Sequence, residues 1–297
     1  MEKNTKGCGT LYLCATPIGN LEDITLRVLR TLREVDLIAA EDTRNTIRLL
    51  NHYEIKKPLT SYHEHNKIQK AYRLAAQLEE GLNIALVTDA GTPAVSDPGE
   101  DLVRICHERG IPVTSLPGCA ACVTALSVSG LPSGRFAFEA FLPEEKKERT
   151  AILKSLQSET RTILLYEAPH HLRRTLKELY EALGERQICV CRELTKRFET
   201  VSRMSLCEAV RFYEQEEPRG EYVLVITGKD PKELRREEQQ AWENMSPAEH
   251  VAFYEEQGMN RKDAMKQAAK DRGVGKREIY QALVCEKDAD GTKDQKV

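Results

Sequence analysis

Short apolar runs alternate with amphipathic stretches through the first 120 residues, and few architectures satisfy that rhythm. Residues 11–15, 37–40, 59–62, 84–88 and 113–116 read as strands, while 21–35, 43–53, 66–80 and 99–109 between them carry the helical period. Strands separated by helices pair in parallel, because each crossover helix returns the chain to the same end of the sheet. The strands are apolar almost throughout, which agrees with burial between two helical layers. A mostly parallel sheet covered on both faces is therefore expected for residues 10–130.

Turn formers cluster at Gly130-Leu-Pro-Ser-Gly134, and the rhythm beyond them changes. Strands are predicted at 160–166, 187–191 and 221–227, and helices at 169–183, with Pro169 in the first turn, and at 205–214. Residues 200–204 read as a further strand with no helix before it, so it must pair antiparallel or stand apart. The expected fold class is α/β, with one lobe over 10–130, a more mixed lobe over 131–230 and a cleft between them. A helical, basic tail domain is expected over 231–287. Within it, 231–242 reads as a solvated connector, and Ser246-Pro-Ala-Glu249 opens a helix by the capping-box pattern. Helices at 261–272 and 276–284 flank Gly273, and Ala269 and Ile279 fall where a helix-turn-helix needs a small packing residue and a core aliphatic. Residues 1–9 are expected to be flexible, and the polar stretch 288–297 disordered.

Composition excludes several classes. A net charge of −3 makes the whole molecule no indiscriminate binder of polyanions. The charge is uneven, however: residues 258–287 hold eight Lys/Arg against four Asp/Glu, which suits contact with phosphate. No stretch reaches the ~18 consecutive apolar residues of a membrane span, and the first residues lack the apolar run of a signal peptide. A cytoplasmic protein is expected. Nine cysteines at irregular spacings argue against a disulfide framework. Cys119, Cys122, Cys189 and Cys191 would close a zinc site only if all four converged. Inert core thiols are the simpler reading, and no metal is expected.

Three strand ends run into loops that pair proline with glycine: Thr16-Pro-Ile-Gly19, Asp89-Ala-Gly-Thr-Pro-Ala-Val-Ser-Asp-Pro-Gly99 and Pro117-Gly-Cys-Ala-Ala121. The crevice beyond the carboxyl ends of strands is the usual ligand site in open α/β sheets. No Gly-x-Gly-x-x-Gly follows a predicted strand, so the common dinucleotide fingerprint is missing. Proline and glycine instead present fixed backbone N–H and C=O groups with little side-chain bulk, which suits a ligand read by main-chain hydrogen bonds.

Six strings carry a resemblance. They are Ala15-Thr-Pro-Ile-Gly-Asn-Leu-Glu-Asp-Ile-Thr25, Ala40-Glu-Asp-Thr-Arg44, Ser61-Tyr-His-Glu-His-Asn66, Thr88-Asp-Ala-Gly-Thr-Pro-Ala-Val-Ser-Asp-Pro-Gly99, Tyr166-Glu-Ala-Pro-His170 and Arg192-Glu-Leu-Thr-Lys196. Together they resemble the tetrapyrrole methylase superfamily, in particular its members that methylate ribosomal RNA, over roughly residues 10–229 and also in the tail. The resemblance implies S-adenosylmethionine as methyl donor, a homodimer, and 2′-O-methylation of a cytidine ribose in the decoding region of 16S rRNA of the small ribosomal subunit. It also implies a donor held between the lobes. The contacts it carries over are Pro17 from the first loop and Asp89, Ala90, Gly91, Thr92, Pro93, Ala94 and Val95 from the second. Gly118, Cys119 and Ala120 come from the third, and Tyr166, Glu167, Pro218, Gly220 and Glu221 from the second lobe. Two departures from the family pattern stand out. Thr92 replaces the aspartate of a Gly-Asp-Pro turn, so a carboxylate contact is lost or supplied by Asp89. Ala120 replaces a serine, which removes a hydroxyl.

Transfer from a sulfonium to a ribose oxygen leaves a neutral thioether, so positioning supplies most of the acceleration. The acceptor hydroxyl still needs its proton removed or its alkoxide stabilised. Glu41, Asp42 and Arg44 follow a strand directly, where they point into the cleft or Asp42 caps the next helix. His63 and His65 are expected on one face of the third strand, as a base and a phosphate contact, or as half of a metal site without a third ligand. Arg192, Glu193 and Lys196 end a second-lobe strand that faces the cleft. A lysine near a cationic donor and an arginine has a lowered pKa, which makes Lys196 a candidate base or alkoxide partner; a surface salt-bridge cluster is the alternative. Arg44 and His65 at the cleft, and Arg261, Lys262, Lys276 and Arg277 on the tail, are candidate RNA contacts. Two other classes remain open: a methyltransferase for tetrapyrroles or another small molecule, which leaves the tail unexplained, and a non-catalytic RNA-binding factor, which leaves the pocket without purpose.

Overall fold

The computed structural model describes residues 7–243 and 245–291. Its first sheet is wholly parallel, built from β1 (Leu11–Cys14), β2 (Leu37–Ala40), β3 (Leu59–Ser61), β4 (Ile84–Val87) and β5 (Val113–Leu116) in the order β3-β2-β4-β1-β5. Alternate residues of each strand feed opposite cores. Ile84 and Leu86 pack with α3 (Lys67–Glu79) and α4 (Glu100–Arg109), while Ala85 and Val87 pack with α1 (Leu26–Glu34) and α2 (Thr43–His52). The helix expected over 21–35 is split. Asn20 caps a single 3₁₀ turn at Leu21–Asp23 and Thr25 separately caps α1, because both side chains bind the backbone N–H groups that a continuous helix would use. The amino terminus is tied down earlier than expected, since Gly9 N donates to Leu78 O at 2.8 Å and the Cys8 thiol bonds the same carbonyl; residues 1–6 lie outside the described residues.

The second sheet is mixed. β6 (Phe136–Phe141) lies parallel to β7 (Thr162–Glu167), and β10 (Tyr222–Ile226), β8 (Gln187–Arg192) and β9 (Thr200–Ser205) join antiparallel in the order β6-β7-β10-β8-β9. The missing crossover before β9 is thus resolved by antiparallel pairing with β8. One face is covered by α6 (Lys146–Leu156), α7 (Pro169–Leu183) and α8 (Leu206–Gln215). The other carries α5 (Ala121–Ser129), whose Cys122, Ala125 and Leu126 pack on Leu164, Cys189 and Val225. The lobe boundary expected at 130 therefore falls after a helix whose apolar face belongs to the second sheet.

β6 and α6 have no counterpart among the sequence-based expectations. The alternation Phe136, Phe138 breaks at a bulge, where the register shifts before Phe141 and Ala140 takes φ +52°.

The tail forms its own unit from residue 229 onward. It contains α9 (Pro231–Glu243), α10 (Pro247–Glu256), α11 (Arg261–Asp271) and α12 (Lys276–Gly291). Ser246 and Glu249 complete the expected capping box, and Gly273 turns at φ +65° between α11 and α12. Val251, Ala264, Ala268, Ala269, Ile279 and Leu283 make a small core. Two expectations fail here. The end of α9 is no solvated connector, since Trp242 stacks on the buried His250 with ring centroids 4.0 Å apart. The last helix continues to Gly291, past the end expected at 284 and into the stretch expected to be disordered from 288; residues 292–297 lie outside the described residues.

Candidate active site

Three loops at the carboxyl ends of β1, β4 and β5 are stitched together. Thr16 and Gly91 exchange both backbone hydrogen bonds, at 2.9 and 3.0 Å. The Thr92 hydroxyl donates to Cys119 O at 2.9 Å. Gly118 lies so near Ala15 that a Cβ there would meet the alanine's Cβ at 2.6 Å, so only glycine fits without a shift. The loop after β8 approaches from the other lobe: a Cβ on Gly19 would come within 2.4 Å of Lys196 Cγ.

Between these loops and the second sheet lies a cavity of about 740 Å³, inside the ~300–1,000 Å³ range of small-molecule sites. The side formed by the first lobe is acidic. Thr88, almost fully buried, donates from its hydroxyl to Glu41 Oε2 at 2.6 Å, and Asp89 N approaches the same oxygen at 3.3 Å. Burial, reinforced by Glu41 and Asp89, pushes the Asp97 carboxyl up to about 6, although a hydrogen bond with Thr88 pulls the other way. The side formed by the second lobe is aromatic. Tyr166 meets Phe138 and Phe141 edge-on at 4.9 and 5.6 Å, and its hydroxyl accepts from Cys122 N at 3.2 Å. Burial drives the Tyr166 hydroxyl above its ordinary pKa, so it stays neutral. Glu167 is fixed, its Oε1 accepting from Ala168 N at 2.8 Å and its Oε2 from the Thr175 hydroxyl.

Of the donor contacts implied by resemblance, Asp89, Ala90, Gly91, Thr92 and Val95 line this cavity from the first lobe. Ala120, Tyr166, Glu167 and Glu221 line it from the α5 and second-sheet side. Pro17 lines a neighbouring, smaller cavity instead. Pro93, Ala94, Gly118, Cys119, Pro218 and Gly220 shape the surrounding loops without lining it. Glu41, named with Asp42 and Arg44 as pointing into the cleft, lines the cavity; Asp97 and the three phenylalanines of β6 were missed. Asp97 was legible as part of the second loop, but nothing in the sequence distinguished it from a turn residue.

The candidate catalytic residues do not gather as expected. Lys196 Nζ sits between Glu193 Oε1 at 2.9 Å and Glu221 Oε2 at 2.8 Å. Burial alone would lower its pKa, but the two carboxylates outweigh burial and hold it above the ordinary lysine value. The expected depression is overturned, and Lys196 is a cation in this structure. Glu193 is held ionised by Lys196 and the Glu221 N–H against the opposing effect of burial, in a left-handed backbone conformation with φ +51°. Arg192 Nε donates to Arg219 O at 2.7 Å. Asp42 caps α2 through Arg44 N, and the Arg44 guanidinium holds its carboxyl down to about 2. His63 and His65 lie in the turn between β3 and α3, not on a strand face, with ring centroids 6.0 Å apart. Asn66 organises that turn by accepting from His63 N at 2.9 Å. Arg44 is exposed but bonded to Asp42 through Nε and Nη2. Arg261 and Lys262 open α11, and Lys276 and Arg277 open α12. Cys189 and Cys191 are buried neighbours, Sγ to Sγ 3.8 Å, while the Cys119 thiol donates to Asp23 O, so the four thiols do not converge.

A two-lobed α/β fold with an acidic and aromatic cleft beyond parallel strands is a scaffold for binding a small molecule, and residues 10–210 match the family model Tetrapyrrole (Corrin/Porphyrin) Methylases. The chain belongs to that family. It is 50% identical over 272 residues to ribosomal RNA small subunit methyltransferase I of Halalkalibacterium halodurans, covering 92% of this chain and 93% of the relative. To the protein of the same name from Bacillus subtilis it is 47% identical, covering 92% and 94%. Among solved structures, diphthine synthase superposes with a TM-score of 0.61 at 15% identity, over 74% of this chain and 90% of that one. Uroporphyrin-III-C-methyltransferase from Thermus thermophilus gives 0.53 at 23%, over 73% and 94%. These two likenesses concern the fold.

Proposed function

We propose that this protein transfers a methyl group from S-adenosylmethionine to the 2′-hydroxyl of a cytidine in the decoding region of 16S rRNA, acting on the small ribosomal subunit in the cytoplasm. One observation carries the reading: the cleft of a chain about half identical to ribosomal RNA methyltransferases sets crowded carboxylates opposite an aromatic wall. The donor's chemistry fits these residues. Its cationic centres suit the side where Glu41, Asp89 and Asp97 repel one another, and its adenine suits Phe136, Phe138, Phe141 and Tyr166. When bound, the donor would supply an electrophilic methyl group and leave as a neutral thioether, while the acceptor hydroxyl would give up its proton to a cleft carboxylate. The chain's residues then orient the acceptor and screen its developing negative charge. A charged Lys196 does this as a cation and not as a base, so Lys196→Ala should lower kcat about 10²-fold, the scale of losing one charge-stabilising donor.

The tail supports an RNA substrate. Lys262, Lys276 and Arg277 pair with no carboxylate among the described residues. Lysine and arginine in a first helical turn oppose the helix dipole, by about 0.3–1 kcal/mol each, so helix stability does not explain their placement, whereas phosphate contact does. The homodimer belongs to the same reading. Val128 of α5 is exposed, as is Val201 of the neighbouring β9, and Phe198 just before that strand is 67% exposed. Such an apolar patch suits a second copy of the chain. No helix among the described residues is long and apolar enough to cross a membrane.

Labelled-methyl transfer to small subunits from cells lacking this activity, followed by mapping of ribose methylation, tests the reading. Incorporation at one cytidine 2′-oxygen is expected. Donor binding without any transfer to subunits would turn the assignment toward a small-molecule acceptor, and no donor binding at all would sink it.

A further inference from the structure

A second cavity, of about 260 Å³, adjoins the first. It lies between the loop after β1, through Pro17, Gly19 and Leu21, and the face of α2 that carries Asn45 and Arg48. The two cavities share two residues, Thr88 and Asp89. Thr88 is buried with its hydroxyl committed to Glu41, which leaves Asp89 as the exposed charged group common to both. Asp89 accepts from Asp42 N at 3.2 Å through Oδ1 and from Asn45 Nδ2 at 2.8 Å through Oδ2. A carboxylate offers about four acceptor positions, so these bonds fix the group while leaving room for one more donor. Arg48 is exposed and pairs with no carboxylate among the described residues. It stands one turn beyond Arg44, on the same side of α2, whereas Arg44 is bonded to Asp42. A free guanidinium, a fixed carboxylate and a volume too small for a whole nucleoside donor make a seat for a sugar and its phosphate.

We infer that this smaller cavity seats the acceptor, a ribose-phosphate unit of RNA, with the phosphate on Arg48 and the hydroxyl on Asp89 where that carboxylate also borders the donor cavity. The inference rests on the proposed function and locates its acceptor. Pro17, Gly19 and Leu21 then form the wall against which the sugar packs, and Asn45 acts as a positioning residue through Asp89.

Three measurements on the full-length protein test it: affinity for purified small subunits without donor, affinity for S-adenosylmethionine by calorimetry, and steady-state methyl transfer. Arg48→Glu should weaken subunit binding about tenfold at fixed salt and leave donor affinity within about twofold, and Arg48→Lys should restore most of the loss. The slope of log affinity against log salt should fall by about 0.7–0.9 for the one lost phosphate contact. Asp89→Asn should keep subunit affinity within about threefold and lower kcat at least about 50-fold, with an unchanged thermal midpoint showing an intact fold. If Arg48→Glu weakens donor binding instead, the cavity serves the donor and the inference is wrong. Should Arg48→Glu match the wild type in both affinities while the wild type methylates subunits, the subsite alone is refuted. A wild type that transfers nothing to subunits removes both the subsite and the function it rests on.

Discussion

Asp97 faces Glu41 and Asp89 across Thr88, with the Tyr166 ring beyond, and no cation among the described residues pairs with it. Its carboxyl titrates near 6 in the folded protein and near 3.8 in an ordinary setting, so folding favours the protonated form. That contribution to stability is fully present below about pH 3.8 and is lost as the pH rises through about 6. Asp97→Asn should abolish this dependence, which denaturant midpoints measured from pH 4 to 7 will show. A bound sulfonium favours the ionised carboxylate. Donor affinity should therefore rise as the pH passes 6 in the wild type and stay flat in Asp97→Asn; calorimetry showing equal slopes for both proteins would remove Asp97 from the donor's surroundings. At this scale the sequence was read unevenly. The cap by Asp42 and the turn at Gly273 could be read because both are local requirements, whereas the close approach of Gly118 to Ala15 could not. The raised carboxyl of Asp97 and the raised lysine at 196 were out of reach, since the first depends on Glu41 and the second on Glu221 as well as on the nearby Glu193.

Elements were legible where one period held without interruption. The five strands of the first sheet and the helices α2, α3, α4 and α7 lie within a residue or two of their expected ends, because each is a plain apolar strand or an amphipathic run with a recognisable cap or stop. β6 escaped because its bulge breaks the alternation, and α6 followed it out of view. α5 is apolar nearly all round, so periodicity cannot say which sheet it serves; packing on Leu164, Cys189 and Val225 decides that. The centre of the second sheet is where side-chain loss should cost most. Leu224, fully buried on β10 between β7 and β8, becomes a cavity in Leu224→Ala, and urea denaturation should show a loss of about 2–5 kcal/mol. A loss below about 1 kcal/mol would mean that the sheet relaxes into the space.

For the molecule as a whole, the compact unit that holds both sheets ends at Gly228, and the helical tail has a core of its own. Donor recognition and much of the RNA affinity should therefore separate. Removing residues 231–297 should leave S-adenosylmethionine affinity within about twofold and weaken small-subunit binding at least about tenfold at physiological salt, where lost phosphate contacts are felt strongly. Equal loss of both affinities would contradict the division. The proposed homodimer predicts that Phe198→Asp combined with Val201→Lys shifts the sedimenting species from dimer to monomer, because two charges on the exposed apolar residues oppose their burial; a wild type that sediments as a monomer would remove it.

The sequence by itself determined the parallel first sheet, the three proline- and glycine-bearing loops, the capped helices of the tail and, through six long strings, the family. All of these are written in contiguous residues, where periodicity, capping and backbone conformation act over short spans. Only the tertiary structure decided which carboxylates share the cleft, that Lys196 is held charged between Glu193 and Glu221, and that two cavities meet at Asp89. Those properties arise from distances between residues far apart in the chain, and electrostatic and steric effects that fall off over a few ångströms leave no trace in the order of amino acids.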